Sequence, residues 1–591
     1  MGFQTIEHTA DLCVVGGGMA GMCAAISAAR HGAKVVLMHE RPMLGGNASS
    51  EIRMWVCGAD GKNNRETGIL EEIRLENYHR NQHKNYAVWD TILYEKVISE
   101  PNITLLLNCS CCDAKMDGNR LVSVTGWQMT TQTWHTVTAQ LFSDCSGDSV
   151  LQPLTGAEYR MGREAASEFN EKVSVLVADC KTMGMSCLIQ AREYDRPSTF
   201  IAPPWAKKLD AEILKYRRPN IHRSGENFWY LELGGDKDSI RDTETVRDEL
   251  LALAMGMWDY VKNSGEFDAD NWQLDFLGFL PGKRESRRMM GDYIMTQNDV
   301  LSGGIFDDTV AFGGWPLDDH DPAGFYHVGH PNQSYNTPSP YGIPYRCLYS
   351  VNIANLFFAG RNISMTHAAM SSSRVMATCC LLGQAVGTAA AIGAREKLDP
   401  REIGKQYMDE LQQTLMDDDC FLPGRFRPIP ALTKTAALTA DRDAEQLENL
   451  RNGADRENRT YPEGEKGVRF PAGTAVTYTF ADRSPVESLR LVFDSDLNRA
   501  TIPAEGVEQI HNTRATVPLN YPIVCMPKTL IRDFTVELLD GADVVDVLDY
   551  TDNVKRLVQI PIGRTLTGVR CIYRRDWGDN EILHTYSEDC R

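Results

Sequence analysis

Residues 11–47 constrain the fold of this chain more than any other part of its sequence. Residues 12–15 form a short apolar run of the kind that makes a buried parallel strand. The Ala-rich residues 22–30 contain few helix breakers and predict a helix. A second strand is predicted at residues 34–38, and Glu40 ends it. The chain therefore opens with a strand, a turn, a helix and a second strand.

The turn before this helix has the glycine spacing of a dinucleotide-binding fingerprint. Gly16, Gly18 and Gly21 give the pattern GxGxxG. The first glycine allows a tight turn, the second lets the backbone approach a pyrophosphate, and the third lets helix and strand pack closely. The start of the helix, at Met19 and Ala20, presents unpaired N–H groups and a positive dipole end to phosphates. These five residues are predicted to hold a dinucleotide.

The residues after the second strand indicate which dinucleotide is expected. Glu40 can accept hydrogen bonds from a ribose diol. The segment that begins with Glu40 and Arg41 reads ERPMLGG, which resembles the ERxxxLGG continuation of FAD-dependent oxidoreductases. This resemblance implies that Arg41, Gly46, Asn47 and Ala48 lie along the cofactor on the way to the flavin ring. FAD is therefore the predicted cofactor; NAD is the alternative, although nothing else in the chain has the pattern of a nicotinamide site.

Composition and charge exclude several classes of partner. The chain has 591 residues, enough for two or three domains, and a formal net charge of −19. An acidic surface disfavours nucleic acid and anionic membranes as partners. The opening MGFQTIEHTADL has no signal-peptide pattern, and no run of 18 apolar residues occurs. We therefore expect a cytoplasmic protein without a membrane span, whose 16 cysteines are reduced.

The predicted fold class is α/β, with a Rossmann-like FAD-binding domain at residues 8–160 and 331–400. Charged helical segments alternate with aromatic-rich loops at 161–330, which predicts an inserted α+β substrate or cap domain. Residues 401–440 are expected to be a helical linker. Short strands recur at 441–591 and predict a β-sandwich. The closing strands of that region resemble those of a galactose-binding-like jelly roll.

Further elements are predicted from local patterns. A loop that lines the flavin is expected at 47–68, because it is long, polar and leaves the second strand directly. The other predicted elements are a hairpin around 117–119, a strand at 136–144, a buried strand that ends near Gly360, a long apolar helix at 371–391 and a helix at 401–416.

Four segments together resemble the FAD-dependent oxidoreductases found in bacterial glycan-degrading loci, some of which are labelled xanthan-lyase-like. They are the opening fingerprint, LGGNASSEIRMWVCGADGKNNRETG, GKRESRRMMGDYIMTQNDV and LFFAGRNISMTHAAMSSSRVMATCCLLGQAVGTAAA. The resemblance implies that Asp148, Gly360 and Arg361 lie beside the FAD. It also implies that a helix starting near Arg374 and Val375 points its N-terminus at the flavin pyrimidine edge, where negative charge develops on reduction.

Three side chains are candidates for catalysis. His367 lies between the strand that ends at Gly360 and the flavin-facing helix, and a histidine with an ordinary pKa can take a proton from a substrate hydroxyl. A structural histidine is the alternative. Arg288, in the segment KRESRR, is the candidate for a substrate clamp, and a structural ion pair is its alternative. His320 is a candidate for orienting the substrate, and a position in a solvated loop is its alternative.

Other polar clusters are expected to be structural. Residues 318–321 read DDHD and are followed by His327 and His330, but no further ligand pattern accompanies them, so no metal site is predicted. Cys109 and Cys112 form CxxC at the end of a strand, where a thiolate would not be stabilised by a helix N-terminus.

The predicted function is oxidation of a CH–OH group in a sugar or glycoside-like small molecule, with hydride transfer to flavin N5. His367 would be the base, with Arg288 and His320 orienting the substrate. The first alternative is reduction of an activated C=C bond, as in fumarate-reductase-like flavoproteins. The second is a glycan-binding protein with a structural flavin. The sequence leaves the electron acceptor and the oligomeric state open, and a homo-oligomer is one alternative.

Overall fold

The computed structural model describes residues 2–222, 226–461, 466–499, 513–521 and 523–591. The chain divides into two compact units. The first contains Met1–Asp60, His83–Leu411 and Ala500–Ile523, and the second contains Gly61–Gln82, Gln412–Arg499 and Val524–Arg591. This division differs from the predicted boundaries at residues 400 and 441, because each unit includes a segment from the other part of the sequence.

The N-terminal part of the chain alternates strands and helices. Its elements are β1 (Gln4–Val15), α1 (Met19–Arg30), β2 (Val35–Met38), α2 (Ile69–Arg80), α3 (Tyr86–Ile98), β3 (Ile103–Leu106), β4 (Cys109–Asp117), β5 (Arg120–Gln128) and β6 (Thr133–Asp144). Among these, α2 belongs to the second unit. The predicted hairpin around Gly118 is confirmed as β4 and β5.

The middle of the chain is made of short elements around its own core. They are α4 (Leu151–Thr155), β7 (Tyr159–Arg160), α5 (Ala166–Phe169), β8 (Met185–Ser186), β9 (Ile189–Glu193), α6 (Ala211–Leu214), β10 (Glu232–Leu233), α7 (Thr243–Asn263), β11 (Trp272–Leu277), β12 (Gly282–Lys283), β13 (Arg288–Met289), α8 (Gln297–Leu301), β14 (Thr309–Gly313), β15 (Leu317–His320), β16 (Asn332–Tyr335) and β17 (Tyr341–Pro344). The apolar face of α7 contributes Leu250, Met257 and Trp258 to this core.

The chain then returns to the first sheet. The elements that follow are β18 (Leu356–Phe358), α9 (His367–Ser373), α10 (Met376–Glu396), α11 (Pro400–Gln406) and α12 (Met408–Asp417). The predicted helix at 371–391 is wrong at its start, because Val375 is extended and separates α9 from α10. The predicted helix at 401–416 is likewise divided into α11 and α12.

The sheet of the first unit has the strand order β3–β2–β1–β6–β5–β4, with β18 paired to β6. The pairs β1–β2, β1–β6, β2–β3 and β6–β18 are parallel, as the strand–turn–helix pattern predicts. Helices α1 and α10 pack directly on each other through glycines. A Cβ added at Gly383 would lie 2.0 Å from the Ala20 carbonyl oxygen, and one added at Gly387 would lie 2.2 Å from that of Ala24. Small residues therefore set the close approach of these helices.

Helix α10 is long and apolar enough in composition to cross a membrane, but 94% of its most apolar window is buried inside the protein. Its apolar character is explained by packing on all sides, since every residue from Ala377 to Gly393 is buried.

The second unit is built on one antiparallel sheet. Its elements are α13 (Ala431–Thr435), β19 (Ala437–Ala440), β20 (Val468–Pro471), β21 (Thr474–Phe493), β22 (Ile531–Asp540), β23 (Asp543–Tyr550), β24 (Leu557–Asp576) and β25 (Ile582–Cys590). The strand order is β20–β25–β21–β24–β22–β23, with β19 paired to β21. The recurring short strands predicted for this region include one long strand instead, β21, whose pairing with β24 shifts register at two points.

Candidate active site

The carboxyl ends of four parallel strands meet at one edge of the first sheet. The Gly16 N–H donates to the Met38 carbonyl at 2.8 Å, and the Cys145 N–H donates to the Val15 carbonyl at 2.8 Å. The Ala359 N–H, just before Gly360, donates to the Asp144 carbonyl at 3.2 Å. This is the edge at which open α/β sheets bind ligands.

The three fingerprint glycines are required for different reasons. A Cβ at Gly16 would lie 2.4 Å from the backbone of Cys145, and one at Gly21 would lie 1.8 Å from the Gly16 carbonyl oxygen. Both are therefore needed by the packing of the protein itself. At Gly18, whose φ is −66°, the nearest heavy atom to a Cβ is Gly46 Cα at 3.9 Å. Gly18 faces an open cradle that a side chain would fill.

A second glycine-rich loop covers the first. The Gly45 N–H donates to the Gly17 carbonyl at 2.9 Å, and Gly46 has φ +61°. A short 3-10 helix follows at Gly46–Ala48. The Asn47 side-chain amide donates to the Lys283 carbonyl at 3.0 Å, which joins the loop to β12. The predicted residues Gly46, Asn47 and Ala48 thus lie next to the fingerprint turn.

Two helix N-termini at this edge lack a capping side chain among the described residues. Helix α1 begins after Gly18 and α10 begins after Val375, and neither N-cap residue makes a side-chain hydrogen bond to its helix. Uncapped, buried N–H groups favour an anion or another acceptor. The buried atoms Arg361 Nε, Arg374 Nε and Thr378 Oγ1 also have no hydrogen-bond partner within the described part of the chain. The open space in front of Gly18 and these unpartnered donors fit a bound dinucleotide.

Two predicted cofactor residues are engaged with other protein groups. The carboxylate of Asp148 accepts from Arg361 Nη2 at 2.5 Å, from Lys283 Nζ at 2.6 Å and from Ser286 Oγ at 2.8 Å. Its role at this edge is therefore to hold Arg361 and Lys283. Glu40 keeps 45% of its side chain exposed, with Arg41 Nε 3.4 Å from Oε1. Its carboxylate is accessible to a ribose.

His367 is buried between two carboxylates at the start of α9. Its Nδ1 lies 2.9 Å from Glu285 Oε2, and its Nε2 lies 3.0 Å from Asp319 Oδ1. Burial by itself would lower the pKa, but Glu285 and Asp319 outweigh it and raise the pKa of His367 to about 10. The expectation of an ordinary histidine pKa is wrong, and the ring is an imidazolium at neutral pH with both nitrogens bonded.

Arg288 lies behind His367 and is 1% exposed. It pairs with Glu285, donates to Glu164 Oε1 at 2.7 Å, and donates to backbone carbonyls through Nε and Nη2. The other oxygen of Glu164 accepts the backbone N–H of His367 at 2.8 Å. This geometry corresponds to the structural ion pair that was the alternative for Arg288, since its donors point at protein groups.

His320, at the end of β15, belongs to a second cluster of buried charged groups. Its Nδ1 lies 2.6 Å from Glu232 Oε2, and its Nε2 lies 3.3 Å from Asp318 Oδ2. Burial opposes the charge on this ring, but Glu232 outweighs it and the pKa of His320 is raised. Arg374 Nη2 donates to Asp318 Oδ2 at 3.1 Å, and Arg284 Nη2 lies 3.5 Å from Glu232. His320 therefore positions Asp318 and Glu232, and is itself only 4% exposed.

The described residues contain no group of three or more His, Cys, Asp or Glu that could hold a metal ion. In the DDHD segment, Asp318 and Asp319 bind the two buried histidines, while Asp321 lies 3.3 Å from His327. The thiols of Cys109 and Cys57 are neutral, because burial raises the pKa of each to about 12.

The fold and the diphosphate cradle define a dinucleotide-binding flavoprotein, and comparison with known proteins agrees. The profile of the FAD dependent oxidoreductase family matches residues 11–415, so the chain belongs to that family. It is an FAD-dependent oxidoreductase, and FAD is its cofactor. No curated protein shows significant sequence similarity to it.

Solved structures with a similar fold are distant in sequence. Quinol fumarate reductase of E. coli is 13% identical, with 70% of this chain and 75% of that chain covered and a TM-score of 0.28. A geranylgeranyl bacteriochlorophyll reductase-like protein of Thermoplasma acidophilum is 10% identical, with coverages of 70% and 85% and a TM-score of 0.31. A p-nitrophenol 4-monooxygenase of Pseudomonas putida is 11% identical, with coverages of 70% and 86% and a TM-score of 0.30. None of these likenesses bears on the substrate.

Several residues that build this site have no signal in the sequence. Glu232 meets His320, and Glu164 meets His367, across long separations in the chain. Each acid lies in a segment with no motif of its own. In the sequence, Asp319 stands out only as part of the acidic segment DDHD. Its contact with His367 depends on how β15 packs beside α9.

Proposed function

We propose that this enzyme oxidises a CH–OH group of a neutral, hydroxyl-rich small molecule such as a sugar or glycoside. Residues Gly16–Gly21, Glu40, Gly46 and the N-terminus of α10 would hold the FAD. When bound, FAD supplies the acceptor for the two electrons and the hydrogen that leave the carbon. The substrate class follows from the charges around His367 and His320.

The observation that supports this substrate class is charge balance. Ion pairs link six cations and six carboxylates in the two clusters, and within the described residues each of these cations is paired with at least one carboxylate. The cations are Arg160, Arg284, Arg288, Arg374, His320 and His367, and the carboxylates are Glu164, Glu168, Glu232, Glu285, Asp318 and Asp319. An anionic substrate would need a cation without a partner to clamp it. A neutral polyol needs acceptor oxygens instead.

Asp319 provides such an oxygen at the accessible side of the clusters, whereas both oxygens of Asp318 are engaged by Asn332, Arg374 and His320. The side chains of Asp318 and Asp319 are 14% and 21% exposed, whereas His367 is 4% exposed. Burial by itself would raise the pKa of Asp319, but the imidazolium of His367 lowers it. The carboxylate therefore stays ionised and can accept a hydrogen bond from a substrate hydroxyl.

Proton acceptance is assigned to Asp319, with His367 behind it. One oxygen of Asp319 is bonded to His367 Nε2, and the other, Oδ2, receives the hydroxyl proton as the C–O bond becomes a carbonyl. His367 holds the carboxylate in place and is held in turn by Glu285. This pair replaces the single histidine base expected from the sequence, because neither ring nitrogen of His367 is free to approach a substrate.

Reduction of a C=C bond in a dicarboxylate is less compatible with the site. That reaction would use an arginine to clamp a carboxylate and deliver a proton. Arg288 is buried and fully engaged, and Arg284 and Arg374 are paired with Glu232 and Asp318. The described residues of the two clusters thus leave no arginine for that role.

The test is reduction of the bound flavin without oxygen. FAD-loaded enzyme is mixed anaerobically with a panel of neutral glycosides, and bleaching of the flavin absorbance is recorded. We expect bleaching by at least one neutral glycoside and none by succinate. Bleaching by succinate, or rapid reoxidation of the reduced enzyme by fumarate, would instead establish the dicarboxylate reaction.

A matched pair of variants tests the role of Asp319. Asp319→Asn removes the proton acceptor and should slow flavin reduction by about 10²–10⁴-fold, the usual contribution of general base catalysis. Asp321→Asn, two positions along and paired with half-buried His327, should reduce at the wild-type rate. FAD content should be equal in both. Equal reduction rates in the two variants would remove Asp319 from the mechanism.

The cellular setting is proposed on sequence grounds alone. The formal net charge of −19 supports a cytoplasmic enzyme, which would pass electrons to a partner still to be identified. The antiparallel sheet of the second unit is proposed to be a galactose-binding-like jelly roll, on the resemblance of its closing strands.

A further inference from the structure

The charged segment KRESRR, residues 283–288, divides its side chains between two places in the first unit. One half of them belongs to the two clusters of the candidate active site. The other half, which consists of Lys283, Ser286 and Arg287, contacts Asp148 in the loop after β6. The segment that forms a single cluster in the sequence therefore has a second role beside the cofactor edge of the sheet.

Asp148 receives donors from both this segment and the strand end at Gly360. Lys283 Nζ lies 2.6 Å from its Oδ2, and Ser286 Oγ and Arg361 Nη2 lie 2.8 and 2.5 Å from its Oδ1. Arg287 Nη1 donates to the backbone carbonyl of Asp148 at 3.4 Å. Burial by itself would raise the pKa of Asp148, but Arg361 and Lys283 outweigh it and lower the pKa, so the carboxylate is ionised.

These contacts gather more positive charge than Asp148 neutralises. Lys283 and Arg361 share Asp148 as their ion-pair partner. The guanidinium of Arg287 lies over the ring of Tyr159 at 5.9 Å, and no carboxylate of the described chain segments lies within ion-pair distance of it. Arg361 Nε is buried and has no hydrogen-bond partner in the same part of the chain. Three cations thus surround one ionised carboxylate.

Two further acids near these cations are engaged elsewhere. Asp144 is fully buried, accepts from Ser146 Oγ at 2.7 Å and from the Leu151 N–H at 2.8 Å, and has a pKa that burial raises. Asp238 acts on Arg287 only from beyond ion-pair distance and has a cation of its own, Arg241, at 3.8 Å. The excess of positive charge around Asp148 therefore remains.

Lys283 is tied directly to the diphosphate cradle that Gly18 and Gly46 form. The Asn47 side-chain amide donates to the Lys283 carbonyl at 3.0 Å. Gly46, the residue before Asn47, lies against the fingerprint turn, since a Cβ on it would be 3.1 Å from Gly18 Cα. The backbone of Lys283 is therefore fixed one residue away from the place where the cofactor phosphates are expected.

We propose that Lys283 and Arg287 are cofactor-binding residues, which supply positive charge to the diphosphate of FAD. Each phosphate of a diester carries about one negative charge, so a diphosphate matches two cations in excess. Ammonium and guanidinium groups bind phosphate oxygens through charge-assisted hydrogen bonds. The Lys283 ammonium has three N–H groups, of which Asp148 takes one. The proposal concerns the cofactor and is independent of the substrate.

The test measures release of FAD from the holoenzyme at different salt concentrations. The protein is diluted into buffers from about 0.01 M to about 1 M ionic strength, and the rise of free flavin fluorescence gives the dissociation rate. Lys283→Met keeps an unbranched side chain but removes the charge. We expect its release at low salt to be about 10–100-fold faster than that of the wild type, the loss of one hydrogen bond to a charged group. The difference should shrink as salt screens the charge.

Three further variants separate charge from packing. Arg287→Met should show the same salt-dependent acceleration as Lys283→Met. Lys283→Arg keeps the positive charge and should release FAD at close to the wild-type rate. Ser286→Ala removes an uncharged hydrogen bond to the same carboxylate, so its salt dependence should equal that of the wild type, whatever its rate at one concentration. Far-UV circular dichroism verifies the fold of each variant.

A second measurement locates the charge at the diphosphate. ADP contains the diphosphate without a flavin, and riboflavin contains the flavin without a phosphate. The full-length chain is stripped of flavin and titrated with each compound by isothermal titration calorimetry. Lys283→Met should weaken ADP binding about 10-fold or more and leave riboflavin binding unchanged.

Two results would overturn the proposal. One is an equal salt dependence of FAD release in wild type and Lys283→Met, which would show that the lysine acts through packing alone. The other is unchanged ADP binding together with weaker riboflavin binding, which would place Lys283 at the flavin half of the cofactor. Should Lys283→Met fail to fold, the comparison of Arg287→Met with Ser286→Ala in both measurements decides the matter.

Discussion

At the scale of single residues, the fingerprint glycines separate what the protein needs from what its cofactor needs. Gly16 and Gly21 are in contact with backbone atoms, so a side chain at either would collide with the protein. Gly18 has an ordinary φ and open space in front of it. The diphosphate of the cofactor explains why this space is left open.

Gly18→Val is the variant that follows from this difference. The new side chain meets no protein atom closer than 3.9 Å at its Cβ, so folding should be preserved while FAD binding weakens by at least about 100-fold. The measurement is the flavin-to-protein absorbance ratio, beside the circular dichroism spectrum. Gly21→Val is the control, since its Cβ would lie 1.8 Å from a carbonyl oxygen and should prevent folding. A yellow Gly18→Val protein would contradict the position of the cradle.

His367 shows how burial and neighbouring charges compete at one residue. Its pKa rises from the ordinary 6.5 to about 10 in the folded protein. The protonated ring therefore contributes to the free energy of unfolding. This contribution is fully present below about pH 6.5 and is lost as the pH rises toward about 10.

The thermal midpoint of the FAD-loaded enzyme should therefore fall between about pH 7 and about pH 10. His367→Asn cannot titrate there, so its midpoint should be lower at pH 7 but should depend less on pH over the same interval. Differential scanning calorimetry at matched ionic strength is the measurement. Parallel pH profiles for the two proteins would show that His367 is not charged in the fold.

At the scale of elements, helix α10 packs closely along α1. Its glycines allow close contact with α1, whose N-terminus faces the diphosphate cradle. Its own N-terminus begins at the break after Val375, where the Ala377 N–H donates to the Cys57 carbonyl at 2.9 Å. The spacing of α1 and α10 therefore sets the distance between two helix N-termini that lack a capping side chain.

Gly383→Ala should destabilise the protein although alanine favours helices. The added methyl would lie 2.0 Å from the Ala20 carbonyl oxygen, and overpacking of this kind costs about 1–3 kcal/mol. Thermal unfolding measures the loss. Gly393→Ala is the control in the same helix, because its methyl first meets the movable end of Ile403 at 2.7 Å and should cost less. Equal losses would mean that the contact between α1 and α10 is not limiting.

Local sequence predicted some elements better than others. The first strand, α1, β2 and β18 were confirmed, because short apolar runs and glycine turns mark their ends. The break at Val375 was missed, since residues 371–382 contain neither glycine nor proline. It depends on contacts with distant residues, among them Cys57, that a local pattern does not contain.

At the scale of the whole molecule, each of the two units is built from three segments that are separated in the sequence. Helix α2 belongs to the second unit, where Glu71 pairs with Arg499 at 2.7 Å and Thr67 accepts from Arg456 at 2.7 Å. Residues 513–521 belong to the first unit, where the Val517 N–H donates to the Ala191 carbonyl at 2.9 Å beside β9. Neither unit is a continuous stretch of chain.

Truncation at Glu445 should therefore fail to give a soluble, FAD-loaded remainder. It removes the partners of α2 and the segment that extends β9, leaving buried charges such as Glu71 without their arginine. Expression, solubility and flavin content are the measurements, with the full-length chain as the control. A soluble yellow fragment would show instead that the N-terminal part folds alone, as a division at residue 441 would suggest.

The sequence by itself determined the cofactor domain and its ligand, because the fingerprint is local: strand, glycine turn, helix and acid follow one another within residues 11–47. It also singled out His367, Arg288 and His320 as candidates for catalysis. Only the tertiary structure decided their charge and contacts, since Glu285, Asp319 and Glu232 approach them from separate elements. The pKa of a buried histidine depends on the carboxylates that surround it in space, and these have no fixed spacing along the chain.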